Sequence, residues 1–131
     1  MPSNTEFLLD TSILVAAFRG DAAIRDHMAQ GYTAYISAVT LGELLVGAYR
    51  SVAVQANVAH VLALGEAARV LACDAVTASV YARIASGLIA RGKRIPDNDT
   101  WIAATAQQHA LTLVTRDQHF LSVPDLNLVT W

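Results

Sequence analysis

The sequence predicts an α/β domain built on a mostly parallel central sheet. Three observations predict it: short apolar runs of strand length, helical segments alternating with them, and no repeat or low-complexity tract to break the alternation. Strands in such a sheet are covered by helices on both faces, so they read as continuous apolar runs.

Phe7 to Asp10 reads as a short buried strand. Ser12 to Phe18 reads as a helix that stops near Arg19-Gly20, where glycine supplies a C-terminal cap. A short helix is expected over Asp21 to Gln30, then a strand at Tyr35-Ile36-Ser37. Two helices follow, from about Val39 to Tyr49 and from about Val52 to Ala67, and Val70-Leu71 forms a weak strand. Asp74 caps a helix running to about Ala90, closed by Arg91-Gly92-Lys93. Ile95-Pro96-Asp97-Asn98 reads as a turn leading into a helix from Asp99 to about His109. Leu113-Val114-Thr115 and Leu128-Val129-Thr130 are the final strands.

Residues 1–131 are expected to form a single domain, long enough to bury about two-thirds of the surface that the unfolded chain exposes. The lone Cys73 excludes an internal disulfide, and with no Cys-x-x-Cys present neither a disulfide framework nor a zinc ribbon is available. A cytoplasmic location is therefore expected. Met1-Pro2-Ser3-Asn4-Thr5-Glu6 carries no basic n-region, and no apolar run reaches the roughly 18 residues that span a bilayer, so neither export nor membrane insertion is expected. Nine Lys and Arg against eleven Asp and Glu argue against holding nucleic acid by bulk charge, but not against reaching phosphates through a bound cation. A hydrophobic fraction of 54% with 15% charged residues leaves more apolar surface than one core hides, notably over Val39 to Ala67, and points to a partner or a dimer.

Four acids carry the functional reading: Asp10 after Phe7-Leu8-Leu9, Glu43 in an otherwise uncharged stretch, Asp99 opening a helix, and Asp117 after Leu113-Val114-Thr115. A carboxylate in apolar surroundings is costly unless it is paired, protonated or bound to a cation. In open parallel sheets the binding crevice lies beyond the carboxyl ends of the strands, which is where Asp10 and Asp117 fall. Glu43 shares a helical face with Val39, Val46 and Gly47, a face expected to pack. Each of the others has an ordinary alternative. Asp10 has the position of a helix N-cap, Asp99 that of an acid favoured by the helix dipole, and Asp117 that of a turn residue or a partner for Arg116. Asp97 reads as turn chemistry, and its closeness to Asp99 leaves the assignment between them open.

A carboxylate set suits hard cations such as Mg²⁺ or Mn²⁺. His27, His60, His109 and His119 show no metalloprotease-like spacing, so zinc is not expected. His119, two residues from Asp117, reads as an exposed turn histidine neighbouring the site. Arg91, Lys93 and Arg94 precede the Asp97–Asp99 segment, and Arg116 adjoins Asp117. These four are candidates for contacts to phosphates, with a solvated helix C-terminus as the alternative for the first three.

The segments Phe7-Leu8-Leu9-Asp10-Thr11-Ser12, Ile36-Ser37-Ala38-Val39-Thr40-Leu41-Gly42-Glu43-Leu44, Asp99-Thr100-Trp101-Ile102-Ala103-Ala104-Thr105-Ala106 and Leu113-Val114-Thr115-Arg116-Asp117 closely resemble the four motifs of PIN-domain ribonucleases. Their order and spacing match, the likeness covers essentially the whole chain, and it is closest in kind to VapC-type toxins of type II toxin–antitoxin pairs. The resemblance implies a PIN-like three-layer α/β/α fold and a Mg²⁺- or Mn²⁺-dependent endoribonuclease. It implies Asp10, Glu43, Asp99 and Asp117 as metal-binding catalytic acids, with Ser12 and Thr115 as supporting hydroxyls. The partners it implies are an RNA substrate, a VapB-like antitoxin whose C-terminal segment occupies an apolar groove, and a second copy in a homodimer or a larger toxin–antitoxin complex.

Other classes compete with this reading. A haloacid-dehalogenase-type phosphatase needs a second Asp where Ser12 stands, and a receiver domain needs a Lys after a late strand, whereas no Lys follows Lys93. A PIN-like module that binds RNA or protein without cutting, and a PIN nuclease of housekeeping RNA processing, both remain open as alternatives.

Overall fold

The computed structural model describes residues 6–131; Met1 to Thr5, the segment noted above for its lack of an n-region, lies outside the described residues. Among the described residues, five parallel strands form one sheet in the order β3-β2-β1-β4-β5. These are β1 (Glu6–Leu9), β2 (Thr33–Ser37), β3 (Arg69–Leu71), β4 (Thr112–Val114) and β5 (Leu128–Val129). The sheet is therefore parallel throughout, where a mostly parallel one was expected. The helices are α1 (Thr11–Phe18), α2 (Ala22–Met28), α3 (Ala38–Tyr49), α4 (Val54–Ala67), α5 (Ala75–Ala90) and α6 (Asp97–Gln108). Among them none is long and apolar enough to cross a membrane.

Alternation along the strands divides the core into two layers. Phe7 and Leu9 of β1 and Val114 of β4 face one way, onto Ile13, Leu14, Ile24, Leu44 and Val61 of the first four helices. Leu8 and Leu113 face the other way, onto Val80, Ile84 and Leu88 of α5 and Ile102, Ala103 and Ala106 of α6. Both layers are apolar because every crossover in a parallel sheet lays a helix on one face or the other.

Local chemistry sets the helix ends. Asp21 accepts from the Ile24 backbone N–H, Ser37 from that of Thr40, and Asp74 forms a reciprocal capping box with Thr77. Gly20, at φ +81°, closes α1 in the left-handed conformation that a residue without Cβ adopts freely. Most boundaries shift by one or two residues from the expectation, and two of these shifts bear on exposure and on the site. α4 starts at Val54, leaving Val52 fully exposed, and α6 starts at Asp97 with Pro96 as its N-cap, so the anticipated turn is already the first helical turn. A 3-10 helix, Gln118–Ser122, was not anticipated.

Candidate metal centre

Strand order reverses between β1 and β4, so the chain leaves their carboxyl ends in opposite directions and opens a crevice there. Leu9 pairs with Val114 in register, and the Asp10 N–H donates to the Val114 carbonyl at 3.0 Å, which sets Asp10 beside Thr115. Asp10 is only 3% exposed. Its Oδ2 accepts from Ser12 Oγ at 2.7 Å and from Thr115 Oγ1 at 2.8 Å, which offsets the cost of burying a carboxylate. Although Asp10 stands at the N-cap position of α1, its side chain makes no capping bond. The carboxylate is turned toward the crevice hydroxyls instead.

Thr115 Oγ1 also accepts from the Asp117 N–H at 2.9 Å, and Ser12 Oγ accepts from the Arg116 N–H at 3.3 Å. Both supporting hydroxyls thus tie the end of β4 to the end of β1. Asp117 caps the 3-10 helix by accepting from the His119 N–H at 2.9 Å. That short helix turns the His119 ring back over the acids: Nδ1 lies 3.0 Å from Asp99 Oδ2 and 3.1 Å from Asp117 Oδ1. Asp99 reaches this point from the first turn of α6.

Burial raises the Asp99 carboxyl above its ordinary range, the hydrogen bond to His119 opposes that, and the charges of Asp117 and Asp10 add to the rise. His119 is raised as well, first by its hydrogen bond to Asp99 and then by the charge of Asp117. Asp99 therefore lies in the field of both Asp10 and Asp117. His119 is the residue that sequence reasoning left as an exposed neighbour. Its side chain is 52% exposed, but it is engaged by both acids. The local signal was its place two residues after a strand-end acid; its other partner lies twenty residues earlier.

Glu43 stands apart from that cluster. It is half-buried on α3, and its Oε1 accepts from Thr11 Oγ1 at 2.8 Å, so its link to Asp10 runs through the next residue of the first strand's exit. The face it was expected to share with packed residues is open: Val39 packs against the core, but Val46 is 58% exposed and Gly47 is exposed. Asp97 contacts Tyr81 Oη and Arg94 Nη2, each at 3.5 Å, whereas Asp99 is the one of the two that meets Asp117 and His119.

The basic candidates divide. Arg116 is committed within the molecule: Nη1 and Nη2 donate to Asp21 at 2.7 and 3.1 Å, and Nε donates to the Trp131 carbonyl at 2.8 Å. Arg91, Lys93 and Arg94 are exposed. Arg91 reaches the Ser122 carbonyl at 3.4 Å and Arg94 pairs with Asp97 at 3.5 Å, so this segment adjoins the 3-10 helix that Asp117 caps and the helix that carries Asp99.

The donor set fits a divalent cation. Among the described residues, one ligand atom each from Asp99, Asp117 and His119 lie within 4.8 Å of one another, and the buried Asp10 carboxylate stands behind them. Carboxylates that converge on one point are stabilised by a shared positive charge.

The PIN domain family model matches residues 7–126. The chain is 35% identical to Ribonuclease VapC4 of Mycobacterium tuberculosis over 127 residues, covering 94% of this chain and 95% of that protein. It is 31% identical over 130 residues to the tRNA(fMet)-specific endonuclease VapC of Shigella flexneri, covering 96% and 98%. Among solved structures, a chain of VapBC2 from Rickettsia felis bound to a DNA fragment from their promoter superposes with a TM-score of 0.89 at 26% identity, covering 96% of this chain and 98% of that one. With its motifs in order along an all-parallel five-stranded sheet, the chain belongs to the PIN domain family.

Proposed function

We propose that this protein is a divalent-metal-dependent endoribonuclease that hydrolyses RNA phosphodiester bonds and acts as the toxin of a toxin–antitoxin pair. The observation that carries the reading is the gathering of Asp99, Asp117 and His119 at the switch point, with buried Asp10 behind them. The ribonuclease names of its relatives and the toxin–antitoxin complexes among its structural neighbours support the class.

In this reading Asp10, Asp99 and Asp117 would hold a cation, Mg²⁺ or Mn²⁺, and Glu43, set apart on α3 beside Thr11, would complete the acid set. Such a cation would supply polarisation of the scissile phosphate and activation of water for hydrolysis. Ser12 and Thr115 hold the Asp10 carboxylate in one orientation, and Thr11 does the same for Glu43. Arg91, Lys93 and Arg94 supply phosphate contacts at the rim. Arg116 locks the turn that presents Asp117 through its pair with Asp21.

A cleft of about 700 Å³ between α1, α3 and α4, walled by Val15, Phe18, Val61 and Glu43, suits an amphipathic helix of a VapB-like antitoxin. The exposed Val46, Tyr49 and Leu62 supply apolar surface for a second copy of the chain or for that complex. The whole of residues 1–131 acts as a single domain in this reading, in the cytoplasm.

The test is cleavage of total cellular RNA by purified protein with Mg²⁺, with Mn²⁺ and with chelator, beside an Asp10→Asn variant. Cutting at discrete sites that needs metal and is lost in the variant is the expected result. No cutting under any condition would overturn the enzyme reading in favour of a binding module.

A further inference from the structure

The oxygen-only ligand set that the four acids provide leaves one atom of the cluster without a role. His119 Nδ1 is 3.0 Å from Asp99 Oδ2 and 3.1 Å from Asp117 Oδ1, so a single ring nitrogen addresses both carboxylates at the point where they converge. Its place does not depend on a long flexible arm. The His119 N–H is bonded to Asp117 Oδ1 at 2.9 Å, and the next residue, Phe120, is fully buried and anchors the 3-10 helix in the core. The imidazole is thus held over the acids by backbone, and its donor atom falls in the same group of three ligand atoms within 4.8 Å.

We propose that His119 is a ligand of the cation held by Asp99 and Asp117, and that its imidazole nitrogen tilts this centre toward Mn²⁺ over Mg²⁺. The inference rests on the metal-centre reading above and adds to it the identity of one ligand and the order of metal preference. Mg²⁺ favours all-oxygen octahedral surroundings and keeps much of its water. First-row transition ions accept imidazole readily, so replacing one oxygen donor with nitrogen favours Mn²⁺. The alternative is that His119 merely occupies the cation's place by hydrogen bonding, in which case metal must displace it.

The full-length protein loaded with Mn²⁺ would be examined by pulsed electron paramagnetic resonance, and Mn²⁺ and Mg²⁺ affinities measured by calorimetry for wild type, His119→Ala and Asp99→Asn. Nitrogen-14 coupling to bound Mn²⁺ is expected in wild type and absent in His119→Ala. The variant should bind Mn²⁺ about tenfold more weakly or worse, as ligand-environment changes do, and should lose less affinity for Mg²⁺ than for Mn²⁺. Bound Mn²⁺ without nitrogen coupling, or Mn²⁺ held as tightly or more tightly by His119→Ala, overturns the ligand role while leaving the acids as the metal centre. Wild type that binds no Mn²⁺, or Asp99→Asn that binds it unchanged, overturns the metal-centre reading and this inference together. The spectroscopic result needs no variant, so a folding defect in His119→Ala does not blunt the test.

Discussion

Thr115 Oγ1 donates to Asp10 Oδ2 at 2.8 Å across 105 residues of chain, and the same oxygen accepts from the Asp117 N–H. One hydroxyl therefore fixes two acids that leave neighbouring strands. Thr115→Val removes it without changing shape and leaves the buried Asp10 carboxylate short of a donor. The expected cost is about 1–3 kcal/mol in urea unfolding, accompanied by loss of RNA cleavage. Thr115→Ser keeps the hydroxyl and should retain most of both; equal damage from the two substitutions would count against this role.

Thr11 does for Glu43 what Thr115 does for Asp10, but at the half-buried edge of the crevice. Thr11→Val should lower cleavage by about tenfold, as loss of an outer hydrogen bond to a ligand does, with less than about 1 kcal/mol lost in stability. Thr11→Ser should restore cleavage. A stability loss matching the activity loss would mean that Thr11 serves the fold instead.

The Arg116 guanidinium, hydrogen-bonded to Asp21, holds the Asp21 carboxyl down at about 2. A depressed carboxyl pKa stabilises the fold above the unfolded value of about 3.9, and the contribution is lost as pH falls toward the folded value. Thermal unfolding of wild type and Asp21→Asn should therefore differ by a constant margin near neutral pH, with wild type higher, and converge between about pH 4 and about pH 2. A margin that persists at the acid end would assign the effect to something other than this pair.

Asp99 is shifted the opposite way, because burial and then the neighbouring acids outweigh the help from His119. A raised carboxyl pKa means that the charged form is disfavoured in the fold, so stability falls as pH rises through that value. In chelator-treated protein at neutral pH, Asp99→Asn should unfold at a higher temperature than wild type, and the gap should close on acidification. Added Mn²⁺ should stabilise wild type and leave the variant little changed. A variant less stable than wild type in chelator would contradict the sign of this shift.

Strands β1 and β4 were legible because a strand buried on both faces leaves an unbroken apolar run, and the acid ending each run marks where the sheet stops. The same reading placed Asp10 and Asp117 on one edge. The start of α6 was misread because Pro96, Asp97 and Asn98 are turn residues by composition, and only the backbone shows that Pro96 precedes the helix as its cap. His119 was undervalued because its exposure is visible locally, whereas its contact with Asp99 depends on how α6 meets the 3-10 helix. Arg116 sits beside an acid but spends its nitrogens on Asp21 and Trp131, which no local pattern reveals. Periodicity correctly grouped Glu43 with Val46 and Gly47, but it cannot tell whether a face is covered within one chain.

The reversal of strand order also governs when the site can exist. Asp10 and Glu43 are made early in synthesis, yet β1 has no neighbour on its second edge until Thr112–Val114 has been made and has closed against it. Contacts so distant in sequence form only after a large loop has been drawn shut, and folding of early segments cannot substitute for them. A nascent or truncated chain ending before Thr112 thus carries Asp10, Glu43 and Asp99 but lacks both Asp117 and the strand that closes the crevice. The last quarter of synthesis acts as a timer on the chemistry, and the complete acid set is assembled only in a chain whose final strands have already docked.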